Sequence, residues 1–193
     1  MNSSIDNAVL RFQDLVRDGE CEDGIVRLTV NPDIVPCQFE RGACMEAEYG
    51  GRVAHFVKND PVRATTKIGF LIDAVLDNPA KRSAACAIMN VVSAFFCTAR
   101  RVRACPKECH VPCLEALSRE YCGKTVFLSG DRKIPGLIHA TRESADILFI
   151  NGEGLINEAP TPNPGRKIIF IGPSVSGTAT LNCSERWCPH GSG

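Results

Sequence analysis

Three short apolar runs, Lys124-Thr-Val-Phe-Leu-Ser-Gly130, Asp146-Ile-Leu-Phe-Ile-Asn-Gly152 and Lys167-Ile-Ile-Phe-Ile-Gly172, each end in glycine. They lack the alternation of a half-exposed strand and are too short for independent helices. Runs of this kind predict parallel strands buried on both faces. The carboxyl-terminal half therefore reads as a small α/β layer, with room for a crossover helix from Ile134 to Ser144. The next connection, Asn157 to Arg166, is rich in Pro and Asn, which predicts an abbreviated or irregular crossover.

The first hundred residues carry a different pattern. Ser3 and Ser4 offer a cap for a helix in which Val9, Leu10, Phe12, Leu15 and Val16 recur at near-helical spacing up to Gly19. Gly24 to Val30 and Gly51 to Val57 read as strands, and a helix is expected from Thr65 or Thr66 to a stop at Asn78-Pro79. A second helix is expected from about Ala80 to Thr98, with Ala84, Ala87, Ile88, Val91, Val92 and Phe95 on one stripe. This gives an α/β chain in three parts: an α+β unit over 1–100, a cysteine-rich linker over 101–122, and the parallel layer over 123–193 with a cysteine-containing tail.

Lys plus Arg and Asp plus Glu both number 22, so no net charge argues for nucleic acid or a membrane surface as a partner. Every apolar stretch is interrupted well before the roughly 20 residues of a membrane span. The eleven cysteines are an odd number, and the amino terminus has no apolar signal core. Both features point to a reducing, cytoplasmic setting without a disulfide framework. Small residues on the second helix would also suit close packing in a homodimer.

Cys105, Cys109 and Cys113 fall at i, i+4 and i+8, with Pro106 and Pro112 between them. Three thiolates can hold zinc or an iron–sulfur cluster, with His110, Cys122 or a distant residue as the fourth ligand. Arg100, Arg101, Arg103 and Lys107 would lower their pKa values. Cys183, Cys188 and His190 would complete a mixed site if the tail folded back. The three-residue gaps match neither zinc nor ferredoxin signatures, so a solvent-lapped loop with incidental cysteines explains the same residues. Cys37 and Cys44 flank the turn around Gly42, and Cys86 and Cys97 fall within the alanine-rich helix as small hydrophobes.

The strand ends supply a second candidate. Gly172, Ser174, Ser176, Gly177 and Thr178 follow the last run where open α/β sheets bind ligands, and their amides and hydroxyls could cradle an anion. A backbone turn needs the same residues. Gly152, Glu153 and Gly154 occupy the preceding strand end, where Glu153 could act as acid, base or ligand, or simply cap the turn. His55, on a strand, and His139, on the expected crossover helix, read as ordinary packed or surface histidines.

The order of Arg82-Ser-Ala-Ala-Cys-Ala-Ile-Met-Asn90, Gly123–Gly130, Ala145–Gly152 and Arg166–Ser174 resembles the heavy-metal chelation domain family over about residues 24 to 180. That resemblance implies an enolase-amino-terminal-like unit joined to a Rossmann-like domain, with a link to metal or corrinoid-type cofactors. This chain lacks room for one strand and crossover of that domain. Asp146–Gly154 is also similar to a segment of polysaccharide pyruvyltransferases. Three functions are consistent with the residues. The first is a protein holding a metal ion, iron–sulfur cluster or metallocofactor in the crevice between the halves. The others are a small transferase binding a phosphorylated or nucleotide substrate, with Glu153 as acid or base, and a non-catalytic assembly module.

Overall fold

The amphipathic opening segment forms helix α1 (Ser4–Asp18) and buries Ile5, Ala8, Phe12 and Val16, residues one helical turn apart. The computed structural model describes residues 4–130, 132–157 and 166–193, so Ser3 lies outside the described residues. Strands β1 (Ile25–Asn31), β2 (Ala43–Tyr49), β3 (Arg52–Lys58) and β4 (Ala64–Lys67) follow as an antiparallel sheet in the order β3-β2-β1-β4. The expected strands at 24–30 and 51–57 are β1 and β3. Cys44, beyond the Gly42 bend, lies on β2 and pairs opposite Val57.

The helix expected from Thr65 to Asn78 does not form. Thr65 and Thr66 are β-branched and pair with Arg27 and Val26 of β1, and only a 3-10 turn, Ile68–Leu71, follows. Val75, within the span of the expected helix, is 71% exposed. Asn78 instead caps helix α2 (Pro79–Phe95) by accepting from the Lys81 backbone N–H. The helix ends before Cys97, which sits at φ 57° beyond it. Its buried positions are not one stripe: every residue from Ala85 to Ala94 is buried, because α2 runs between the antiparallel sheet and the helices of the second half.

The segment read as a linker contains a 3-10 turn, Lys107–Cys109, and helix α3 (His110–Glu120). Pro112 falls in its first turn, where a missing N–H breaks no helical bond. Then come β5 (Thr125–Leu128), β6 (Ile138–His139), β7 (Ile147–Ile150), α4 (Gly152–Asn157), β8 (Lys167–Ile171), α5 (Ser176–Leu181) and β9 (Arg186–Trp187). The parallel sheet has the order β6-β5-β7-β8-β9. The three apolar runs are β5, β7 and β8. No crossover helix forms between Ile134 and Ser144: Pro135-Gly136, with Gly136 at φ 82°, makes a turn into β6, which pairs with Thr125 and Val126. His139 is therefore on a strand, where its Nε2 accepts from the Ile134 N–H. The irregular stretch expected before Arg166 lies mostly outside the described residues, at 158–165.

Burial on both faces is visible residue by residue. Leu148, Ile150 and Phe170 face the core shared with α1, α2 and the antiparallel sheet; Ile147, Phe149, Ile169 and Ile171 face a second core under Leu117 of α3 and Tyr121 at its end. The first core runs without a break from the antiparallel sheet into the parallel layer. The tail is not frayed: β9 adds a parallel edge beside β8, and Ser192 exchanges backbone hydrogen bonds with Arg103.

Candidate functional site

The loop from Cys37 to Glu40 crosses the carboxyl ends of the parallel strands. Four contacts hold it there, none predictable from local sequence. Asn151 Nδ2, just after β7, donates to the Phe39 carbonyl at 2.8 Å, and Gln38 Nε2 donates to the His110 carbonyl at 2.8 Å. Arg132 donates to the Glu40 carbonyl at 2.9 Å. The Ser174 N–H, after β8, donates to Glu40 Oε1 at 3.2 Å. Gly172 makes this approach possible: it sits at φ 96°, and a Cβ there would lie 3.1 Å from Glu40 Oε1.

Glu40 is thus a buried carboxyl with one oxygen engaged. Burial pushes its pKa up to about 7, against the opposing pull of the Ser174 hydrogen bonds. Its Oε2 is sealed from solvent and has no hydrogen-bond partner among the described residues. A pKa near neutrality and an orphaned acceptor are features of functional carboxylates more than of structural ones.

Thiols gather around it. The segment before α3 is pinned to β3: the His55 N–H donates to the Val102 carbonyl, and the Ala104 N–H donates to His55 Nδ1 at 3.0 Å. The tail folds back over the same place, where Arg101 donates to the Cys188 carbonyl at 3.2 Å and Arg186 donates to the Arg100 and Arg101 carbonyls. Ionised Cys105, Cys188 or Glu40 would push the Cys37 thiol up, and ionised Cys105 or Glu40 the Cys188 thiol, so these groups lie within electrostatic range of one another. Cys105 is coupled to Cys109 and Cys113. The structure therefore brings Cys188 to the Cys105–Cys113 group and adds Cys37 and Glu40.

The rest of the expected donor set does not join. Cys183 is exposed on the α1 side, where Arg11 Nη1 donates to its sulfur at 3.3 Å. His190 is exposed as well. Nor does the basic run activate the thiols. Burial pushes Cys37, Cys105 and Cys113 up, and it takes Cys188 up to about 11 even with Arg186 beside it. These thiols are protonated at neutral pH. All eleven cysteines are free, and among the described residues no three His, Cys, Asp or Glu side chains are arranged around one metal position. The donor chemistry is nonetheless soft, and Glu40 Oε2, His110 Nε2 and Trp187 Nε1, three of the orphaned buried atoms, belong to residues of this region. The Trp187 and Gln38 side chains favour the Cys113 thiolate, although the indole N–H completes no hydrogen bond.

The glycine turns have a different fate. The Val57 N–H donates to Ser174 Oγ at 2.9 Å, Ser176 Oγ donates to the Arg100 carbonyl at 2.9 Å, and Thr178 Oγ1 turns toward Cys86 Sγ. The Gly177 N–H donates to Asn90 Oδ1 at 2.7 Å, and the Gly154 N–H to Asn151 Oδ1 at 2.9 Å. A Cβ at Gly177 would meet the backbone of Met89 and Asn90 at 2.7 Å, and one at Gly152 would meet Ser174 Cβ at 2.9 Å, so both glycines serve close packing. Glu153, on α4, is half-buried and makes no hydrogen bond or ion pair among the described residues; its carboxylate lies against Gly130 and lines a neighbouring cavity.

Among the described residues, no helix is long and apolar enough to cross a membrane. No family model matches the chain, and no curated protein or solved structure shows significant similarity to it.

Proposed function

We propose that the protein binds a thiophilic metal ion or an iron–sulfur cluster at the carboxyl edge of its parallel sheet, through Cys105, Cys109, Cys113 and Cys188. The observation that carries this reading is the fold-back of the tail, which sets Cys188 beside Cys105 and Cys37 over the half-partnered Glu40. When bound, a soft metal would supply the charge that stabilises the thiolates. Because the Cys105, Cys113 and Cys188 thiols are otherwise protonated, loading releases protons, and affinity rises with pH. Glu40, with its orphaned oxygen, can take up one of those protons. The donors do not meet at one point as described, so loading requires the segment around Cys105 and Cys109 to close onto α3 and the tail. Eleven free thiols support a reducing compartment, and the cytoplasm is the setting that fits.

The test is elemental analysis of protein purified without oxygen. Stoichiometric zinc, or iron with acid-labile sulfide, retained by the wild type and lost in Cys109→Ala and Cys188→Ala, is the expected result. Metal-free protein that stays metal-free after anaerobic incubation with zinc, or with iron and sulfide, would overturn the reading.

A further inference from the structure

A cavity of about 390 Å³ opens between the end of β3, the first turn of α2 and α4, within the size range of small-molecule sites. Arg41, Lys58, Asn78, Ala80 and Glu153 line it, and none of its lining residues is a cysteine. Lys58 is the informative member. The residue is only 8% exposed, yet its side chain makes no hydrogen bond or ion pair among the described residues. Lys67, Lys81 and Lys167, all far more exposed, each have a carboxylate at 2.8 to 2.9 Å. The Lys58 ammonium is not among the sealed, orphaned atoms, so it is an unspent donor open to the cavity.

The start of α2 faces the same space. Asn78 Oδ1 takes the Lys81 N–H, the Arg82 N–H returns to the Asn78 carbonyl, and Pro79 has none, which leaves the Ala80 N–H and the positive end of a 17-residue helix at the wall. Arg41 adds a cation with no partner among the described residues. Glu153 and Asp60 put carboxylates on the opposite side of the ledger, so a bare polyanion is a poor fit. A ligand with one anionic group and a hydrogen-bond donor a few bonds away satisfies both sets.

We infer that this cavity binds a small hydroxylated organic anion, its phosphate or carboxylate held by Lys58, Arg41 and the α2 amino terminus and a hydroxyl donating to Glu153. This site does not depend on metal binding at the thiol edge.

Calorimetric titration of the full chain at low salt with inorganic phosphate, glycerol 3-phosphate and glycerate tests it. At least one of the two hydroxylated probes should bind saturably and more tightly than inorganic phosphate. Preference for glycerol 3-phosphate assigns a phosphate ester, and preference for glycerate assigns a hydroxy acid. Lys58→Met, which keeps the packed stem, should weaken that probe at least about tenfold, as expected for loss of a charge-assisted hydrogen bond. Glu153→Gln should reduce the preference for the hydroxylated probe over inorganic phosphate, and Cys188→Ala should leave binding unchanged. Absence of saturable binding by all three probes overturns the proposal, as does unchanged affinity in Lys58→Met. If Lys58→Met fails to fold, Arg41→Ala at the exposed rim decides in its place: a loss of affinity supports the site, and none overturns it.

Discussion

The glycine turn after β8 and the cavity beside β3 both contain groups that can bind an anion, and they differ in how many of those groups are already taken. In the turn, Ser174, Ser176, Thr178 and the Gly177 amide all spend their hydrogen bonds on β3, α2 and the chain before α3. The turn is a joint between the halves of the molecule. In the cavity, Lys58, Arg41 and Glu153 line one space and have no side-chain partners among the described residues. The thiol edge stands between these extremes, with Glu40 bonded through one oxygen and orphaned at the other. Residue type alone made the turn look functional. Partnering reverses that order, because a satisfied buried group has nothing left to offer a ligand, whereas an unsatisfied one carries a standing cost.

That contrast breaks if the joint proves dispensable. Asn90 donates to the His55, Pro173 and Ser174 carbonyls and accepts from the Gly177 N–H, all buried. Asn90→Ala should cost about 3–5 kcal/mol in urea unfolding, since it orphans several groups at once; a loss near zero would show that the turn is not structural. A smaller effect is expected at Glu40. Its folded pKa, about 7, lies above the ordinary 4.5, so the stabilisation is full below pH 4.5 and is lost as pH rises to 7. Over that window the wild type should lose about 3 kcal/mol relative to Glu40→Gln, and parallel stability–pH curves for the two proteins would refute a buried, half-partnered carboxyl. The smallest effect belongs to the cavity. Without an anion present, Lys58→Met should leave stability within about 0.5 kcal/mol, because the ammonium has no partner to lose among the described residues and is not sealed from solvent. A clear destabilisation would mean that Lys58 has a structural partner.

The parallel strands were legible because their surroundings impose a local signature: a strand covered on both faces needs an uninterrupted apolar run, and β7 and β8 have one. Helix α1 was legible for the complementary reason, one face buried and one exposed. The helix expected from Thr65 failed because apolar spacing at Ile68, Leu71 and Ile72 outweighed two β-branched residues whose fate was set by pairing with β1, some forty residues earlier in the chain. The thiol group was half legible. Cys105, Cys109 and Cys113 are neighbours in sequence, and Cys188 was recognised as a candidate partner, but nothing local distinguishes it from Cys183. The distinction comes from β9 and the Arg103–Ser192 pairing, which carry one cysteine inward and leave the other outside. Glu40 meets Ser174 across 134 positions, and Lys58 ends a strand where a lysine would ordinarily reach solvent, so neither carries any local sign of its environment.

Cys183 and Cys188 therefore offer the most direct test of the metal reading, since the two thiols share a tail and differ only in where the fold delivers them. Anaerobic cobalt(II) titration, followed by thiolate-to-metal charge-transfer absorption, should saturate in the wild type and in Cys183→Ala and be abolished or weakened at least about tenfold in Cys188→Ala. Equal losses in both variants, or no saturable band in the wild type, would contradict a metal site at the carboxyl edge of the sheet.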